Sequence, residues 1–278
     1  MIIDIHTHTF PDTLAPIAIP KMQQASHSIA FTEGTVGALK NSMVQAGIDL
    51  SVVLPVATNP AKVSSINDIS IANREEKLLY FGCIHPDAAE PLKELERIAK
   101  AGIRGIKLHP VYQGADIDDI RYLRILDKAG QLGLVVLTHA GDDIGFPGQV
   151  RCSPKMLKNA LKQVGNITLI AAHMGGWKNW DEVRDLLADT DIYIDTAFSL
   201  GSIYELEKGF YSPEQLKLMS DEEFFTTVRL FGSKRVLFGS DSPWTNQSKS
   251  LEDICNLPFT QEEINDILYG NARSLLDI

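Results

Sequence analysis

Cysteine is scarce in this chain: three thiols among 278 residues, Cys83, Cys152 and Cys255, far apart and with no CxxC pair. That argues against a disulfide framework and against a cysteine-built zinc site, and it fits a reducing cytoplasm. No apolar run approaches the roughly 20 residues that a bilayer-spanning helix needs. Basic stretches are missing too, and 26 Lys and Arg against 36 Asp and Glu leave a formal net charge of −10. With nothing to neutralise phosphates, neither nucleic acid nor an anionic membrane is expected as a partner. The chain starts Met1-Ile2-Ile3-Asp4-Ile5-His6 with no basic leader or cleavage signal, so a cytoplasmic protein is expected. Low-complexity tracts and linkers rich in Gly, Pro or Ser are absent, and a single domain over residues 1–278 is expected.

What is present is an alternation. Short apolar runs rich in Val and Ile recur at Met1–Ile5, Ser51–Val56, Leu79–Ile84, Ile103–Leu108, Leu134–Thr138, Ile167–Ala172, Ile192–Ile194 and Arg235–Phe238. Their near-continuous hydrophobicity suits parallel strands covered on both faces. Between them lie helical patterns: Val36, Leu39, Met43 and Ala46 keep helical spacing, as do Leu92, Leu95, Ala99 and Gly102. Ser212-Pro213-Glu214-Gln215 and Thr260-Gln261-Glu262-Glu263 read as capping boxes, and Ser153-Pro154 as an N-cap followed by a first-turn proline. Eight strand–helix repeats predict an α/β fold of the (β/α)8 TIM-barrel type. A doubly wound open sheet is the rival, but the place of its glycine-rich phosphate loop holds His6-Thr7-His8. Two long connections, from Thr9 to about Glu33 after strand 1 and from about Ala197 to Gly232 after strand 7, are expected to shape or cover a site.

Histidines collect at the ends of these runs. Of the seven in the chain, His6 and His8 end the first run, His85 the third, His109 the fourth, His139 the fifth and His173 the sixth; His27 alone lies elsewhere. A barrel gathers its C-terminal strand ends at one mouth, so six imidazoles are expected around one opening. Strand parity puts Asp4, His6 and His8 on one face and Ile3 and Ile5 on the other; it likewise separates Gly105, Lys107 and His109 from Ile106 and Leu108. The apolar sets are expected to pack on helices and the polar sets to face the axis. The eighth run ends in Phe238-Gly239-Ser240-Asp241, which brings a carboxylate to the mouth.

His-x-His on one strand, joined by a His and an Asp from others, offers N and O ligands for a borderline divalent metal such as Zn²⁺. Such a metal lowers the pKa of its water to about 7, and Asp241 could be both ligand and acceptor of that water's proton. Several of these residues have plainer readings. His85 and His109 each precede a proline, so His85 reads equally as closing a turn and His109 as lining the pocket. Lys107 reads first as a barrel lysine paired with Asp4 or another carboxylate, and otherwise as a carbamylated bridge between two metals. Asp195 reads as a structural acceptor. Core packing is the default for Trp177, Trp180 and Trp244, but Trp177 and Trp244 lie within a few residues of His173 and Asp241 and could wall the pocket.

Asp4-Ile5-His6-Thr7-His8, Gly105-Ile106-Lys107-Leu108-His109-Pro110, Thr138-His139, Ala172-His173-Met174-Gly175-Gly176, Phe238-Gly239-Ser240-Asp241-Ser242-Pro243 and the closing Gly270-Asn271-Ala272-Arg273-Ser274-Leu275-Leu276 follow one another in order. With these motifs the chain resembles the amidohydrolase superfamily, in the branch that includes aminocarboxymuconate-semialdehyde decarboxylase. The resemblance spans essentially the whole chain and is specific for superfamily and metal-site type, not for substrate. It implies a barrel with a mononuclear zinc-type site, with His6, His8, His139 and Asp241 as ligands and His173 as the second catalytic group. Two metals would be implied if Lys107 were carbamylated. Members of the branch are often dimers, which leaves a homodimer open.

The expected reaction is metal-dependent hydrolysis of a small-molecule substrate at a C–N, lactone or ester bond. Asp241 would shuttle the proton, and His173, Lys107 or the metal would stabilise the oxyanion. The alternative is non-oxidative decarboxylation of an unsaturated or aromatic acid, and in either case Lys107 and Arg151 would hold a carboxylate. A phosphodiester hydrolase is disfavoured by the acidic charge, and a non-catalytic binding barrel by the presence of Asp241.

Overall fold

The computed structural model describes residues 1–73 and 75–278. Parallel pairing organises all of its strands. One sheet joins β1 (Ile3–Thr7), β2 (Leu50–Val53) and β3 (Leu78–Tyr80). The other joins β4 (Gly82–Cys83), β5 (Gly105–Leu108), β6 (Val135–Thr138), β7 (Leu169–Ala171), β8 (Tyr193–Asp195) and β9 (Val236–Leu237), in that order. β3 and β4 are halves of one barrel strand interrupted at Phe81, whose N–H donates to the Val53 carbonyl at 3.1 Å. On the far side, Ile5 N donates to the Phe238 carbonyl at 2.9 Å and Asp241 N to the His6 carbonyl at 2.8 Å. These bonds tie the last strand to the first, so eight parallel strands form the (β/α)8 barrel that the alternation predicts.

The helices fill the connections: α1 (Ala15–Ser26) and α2 (Val36–Ala46) after β1, α3 (Val63–Ala72) after β2, α4 (Pro91–Lys100) after β4, and α5 (Pro110–Gln113) with α6 (Ile120–Gln131) after β5. They continue with α7 (Pro154–Leu161), α8 (Trp180–Leu187), α9 (Pro213–Leu216) and α10 (Asp221–Phe231). After β9 come α11 (Gln247–Cys255), α12 (Gln261–Asn265) and α13 (Asn271–Leu276), with a π-helical turn before α13. The capping signals form as read: Ser153, Ser212 and Thr260 each accept a backbone N–H three residues on, and the last two complete reciprocal boxes. Gly102 is not part of its helix. It follows α4 at φ +89°, a left-handed conformation that glycine takes without a Cβ penalty.

Two apolar layers result. Outside the ring, Ile106, Leu108, Val136, Ala171 and Ile194 pack on helix residues such as Leu95, Ile98, Leu123 and Leu126. Inside it, Ile3, Ile5, Val52, Phe81, Leu137, Ile170 and Leu237 form a floor closed by Ala272 and Leu276 of α13. This corrects the parity reading of the first strand. Ile3 and Ile5 face the interior, while the Asp4 carboxylate accepts Ser240 Oγ at 2.6 Å and Gln247 Nε2 at 2.7 Å. The register of β1 against β2 shifts between Asp4 and Thr7. A strand that gains a residue against its partner switches the face of everything beyond it, and that switch brings His6 to the interior after two inward isoleucines. Lys107 keeps its expected inward face, paired with inward Leu137, and it is 1% exposed.

Candidate metal centre and active-site cavity

Local backbone sets up the mouth. Asp241 (φ +68°), His173 (φ +60°) and Met174 (φ +54°) are non-glycine residues in the left-handed region, where side chains pay conformational strain that sites typically retain. Gly141 lies at φ +84° with an imagined Cβ 2.2 Å from Trp177 N, so only glycine lets the loops after β6 and β7 touch. Trp177 N in turn donates to the Ala140 carbonyl at 2.9 Å.

His6 and His8 converge with Asp241. His6 Nε2 lies 3.2 Å from His8 Nε2 and 3.4 Å from Asp241 Oδ1, and His8 Nε2 lies 3.3 Å from the same oxygen. The partners of the other ring nitrogens assign the tautomers. His8 Nδ1 faces the Leu54 carbonyl at 2.8 Å, an acceptor only, so the proton is on Nδ1 and Nε2 carries a lone pair. His6 Nδ1 meets Asp195 Oδ2 at 2.8 Å, while the Lys107 ammonium, 3.1 Å from Nε2, can only donate there. Three acceptor atoms therefore face one another. Their separations match the edge of a tetrahedron around a zinc-sized ion, roughly 3.3–3.4 Å for Zn–N bonds of about 2.0–2.1 Å. A carboxylate or carbonyl on the far nitrogen of each imidazole is also the usual support of a metal-binding histidine. The donor set fits a divalent cation.

His139 and His173 form a second convergence. His173 Nδ1 faces the Ala197 carbonyl and His139 Nε2 the Asp142 carbonyl, both at 3.0 Å, which leaves His139 Nδ1 and His173 Nε2 as lone pairs 3.0 Å apart. His173 also touches His6, ring centroids 5.2 Å apart, and His139 stacks on His109 at 4.3 Å. Five imidazoles thus run in an unbroken row, His8–His6–His173–His139–His109. Burial lowers the pKa of His6, His109 and His139 well below the ordinary range and that of His173 to about 4, so these four are neutral at physiological pH.

Asp195 organises the row from below. It accepts the His6 ring, the His173 N–H at 2.8 Å and the Ala197 N–H at 3.1 Å. Burial raises its pKa against the pull of those donors and of Lys107, and burial likewise lowers that of Lys107. The Lys107 ammonium meets His6 Nε2 and feels the charges of Asp195, Asp241 and Asp143, whereas Asp4 is held by Ser240 and Gln247.

Five of the expected six histidines line the cavity; His85 does not, and its Nδ1 accepts the Asp87 N–H at 3.1 Å, closing a turn. Trp177 and Trp244 line it as expected. Arg151 does not: its side chain is 37% exposed and bonds Asp116 at 3.0 Å, outside the cavity wall. Asp143, not singled out in the sequence, is buried in the wall with its Oδ2 3.5 Å from His109 Nε2 and 3.7 Å from His139 Nε2. Its one sequence signal is its place four residues after a strand-end histidine. The cavity measures about 830 Å³.

The sequence model of the Amidohydrolase family (Amidohydro_2) matches residues 3–278. No curated protein matches the sequence. Solved structures share the fold. The 5-carboxyvanillate decarboxylase LigW from Sphingomonas paucimobilis aligns with TM-score 0.69 at 12% identity, covering 100% of this chain and 99% of its own. An uncharacterized TIM-barrel protein from Bordetella bronchiseptica aligns with TM-score 0.73 at 18% identity, covering 99% and 98%. A protein assigned provisionally as a 2-pyrone-4,6-dicarboxylic acid hydrolase from Pseudomonas putida aligns with TM-score 0.64 at 17% identity, covering 99% and 97%.

Proposed function

The chain belongs to the amidohydrolase family, and from that premise we propose that it is a metal-dependent hydrolase of a neutral small molecule with a C–N, lactone or ester bond. The observation that carries this reading is the meeting of His6 Nε2, His8 Nε2 and Asp241 Oδ1 within 3.4 Å. When bound, a divalent cation, zinc by preference for this donor set, supplies Lewis acidity: it polarises a carbonyl oxygen and lets water give up a proton near neutral pH. His6, His8 and Asp241 would hold it, with His139 as the fourth donor.

The chain's own groups do the rest. Asp195 and the Leu54 carbonyl keep the protons of His6 and His8 on Nδ1, so both Nε2 atoms present lone pairs, that of His6 also meeting the Lys107 ammonium. The Asp241 carboxylate accepts a proton from the attacking water and returns it to the departing nitrogen or oxygen. His173, its Nδ1 pinned to Ala197, orients that water, and the Lys107 ammonium offsets charge growing on the carbonyl oxygen. Trp177 and Trp244 wall the cavity and exclude bulk water.

Charge supports hydrolysis over decarboxylation. Among the described residues no arginine lines the cavity, and the cations that do are Lys21, Lys62 and Lys107. Asp12, Asp142, Asp143 and Asp241 line the same space and offset those lysines, so the wall offers no strongly cationic pocket for a carboxylate substrate. Decarboxylation is the second reading, favoured by fold neighbours that are decarboxylases of 5-carboxyvanillate and 2,6-dihydroxybenzoate. The zinc-loaded protein is to be screened against neutral esters, lactones and amides by acid release, and against hydroxybenzoates by CO₂ release. Acid release from the neutral set is expected. CO₂ release without any hydrolysis would replace the first reading by the second.

A further inference from the structure

We propose that the same cavity carries a separate apolar subsite, beneath α1 and against α3, that takes the hydrocarbon tail of the substrate. This deepens the hydrolase reading and rests on it for the identity of the reacting end.

The cavity has two unlike ends. Its inner end holds the row of imidazoles, Lys107 and Asp241. The same cavity is also lined by Phe10, Leu14, Met22 and Val36 from the segment after β1 and by Ile66 and Ile69 of α3. A carbonyl group reacting at His6 and Asp241 fills only the inner end, whereas about 830 Å³ lies near the top of the ~300–1,000 Å³ range of small-molecule sites. The rim is apolar as well. Leu14 is 46% exposed and Ile69 58% exposed, although both line the cavity. Exposed apolar side chains that continue a cavity wall lose water only when a ligand covers them, which gives an apolar tail a place to gain affinity.

The outer wall is built rather than left over from loose packing. α1 is anchored at several points. Ile19 is buried with its side chain close against Gly34, Gln23 Oε1 accepts the Ala30 N–H at 2.6 Å, and the Tyr211 hydroxyl donates to the Ser26 carbonyl. The connection after β8 adds a backbone bond from Leu206 N to the His27 carbonyl at 2.8 Å, and Phe210 stacks on His27. Lys21 and Lys62 also line the cavity. Their long stems can lie along apolar surface with the ammonium in water, so they need not reverse the character of the passage.

The probes are n-alkanols, which have a tail but no chelating head, titrated by calorimetry into the full-length protein. Each methylene buried in the passage is expected to strengthen binding roughly fourfold, so n-octanol should bind on the order of 200-fold more tightly than n-butanol. Met22→Glu and Ile66→Glu should compress that ratio towards one, and Met22→Leu should preserve it. Melting curves will verify that the variants fold. Equal affinity of the two alcohols for the unaltered protein, or a ratio untouched in both glutamate variants, overturns the subsite. Acetohydroxamate, a small metal chelator, is titrated separately into the zinc-loaded protein. If it fails to bind while the alkanol preference persists, the metal reading fails and the apolar subsite stands.

Discussion

His6 makes more of the site's contacts than any other donor: Asp195 on one ring nitrogen, and His8, Asp241 and Lys107 around the other. Its role and that of Asp241 follow from lone pairs alone, so His6→Ala and Asp241→Ala should each lose bound metal and at least about 100-fold in turnover; elemental analysis of the purified variants, with rates, checks this. Asp195 touches no cation directly in this reading. Asp195→Asn preserves shape but weakens the acceptor that holds His6, and a competitive chelator titration should report zinc affinity lower by about 10- to 100-fold. The strand-end pattern made His6, His8, His173 and Asp241 readable as a group. It could not reveal Asp143, because a loop residue four positions past a strand end has no parity to place it.

At the scale of elements, the register shift in β1 and the contact between the loops after β6 and β7 decide where those side chains point. Alternation assigns faces correctly in β5, where Lys107 points inward and Ile106 outward. It fails in β1 because the register shifts after Asp4, an event set by pairing with β2 and not by the local residues. Arg151 is a similar case: a cation near strand 6 in sequence, it turns to Asp116 because a partly exposed ion pair costs less than a buried guanidinium without a partner. Gly141→Ala tests the loop contact. With φ at +84° and Trp177 N 2.2 Å from the new Cβ, the backbones must separate. A loss of about 1–3 kcal/mol in urea unfolding is expected, accompanied by a changed Trp177 fluorescence.

For the molecule as a whole, a metal held by the folded chain alone must stabilise it. At a free zinc concentration 100 times the dissociation constant, linkage adds about 2.7 kcal/mol, which for a chain of this size raises Tm by roughly 5 °C over the chelator-treated protein. Identical melting curves with and without zinc would count against the donor set. Thiol chemistry reports the packing independently. Burial pushes Cys83 and Cys152 up to about 12, disfavouring their reactive thiolates at pH 8, whereas Cys255 is exposed. Titration with a disulfide reagent should find one fast thiol in the native protein and three after denaturation.

The order of apolar runs and helical patterns by itself determined an eight-stranded α/β barrel, because short buried strands alternating with amphipathic helices have few other ways to cover both faces of a parallel sheet. It also determined that imidazoles and a carboxylate gather at the mouth, since barrel topology turns strand ends into neighbours. Only the tertiary structure decided which nitrogen of each histidine is free, that Asp4 faces away from the site, that Arg151 lies outside it, and that the cavity runs on beneath α1. Those outcomes depend on the register of one strand against the next and on loops that meet across the barrel. Such pairings are fixed by contacts between residues far apart in the chain, and no local pattern records them.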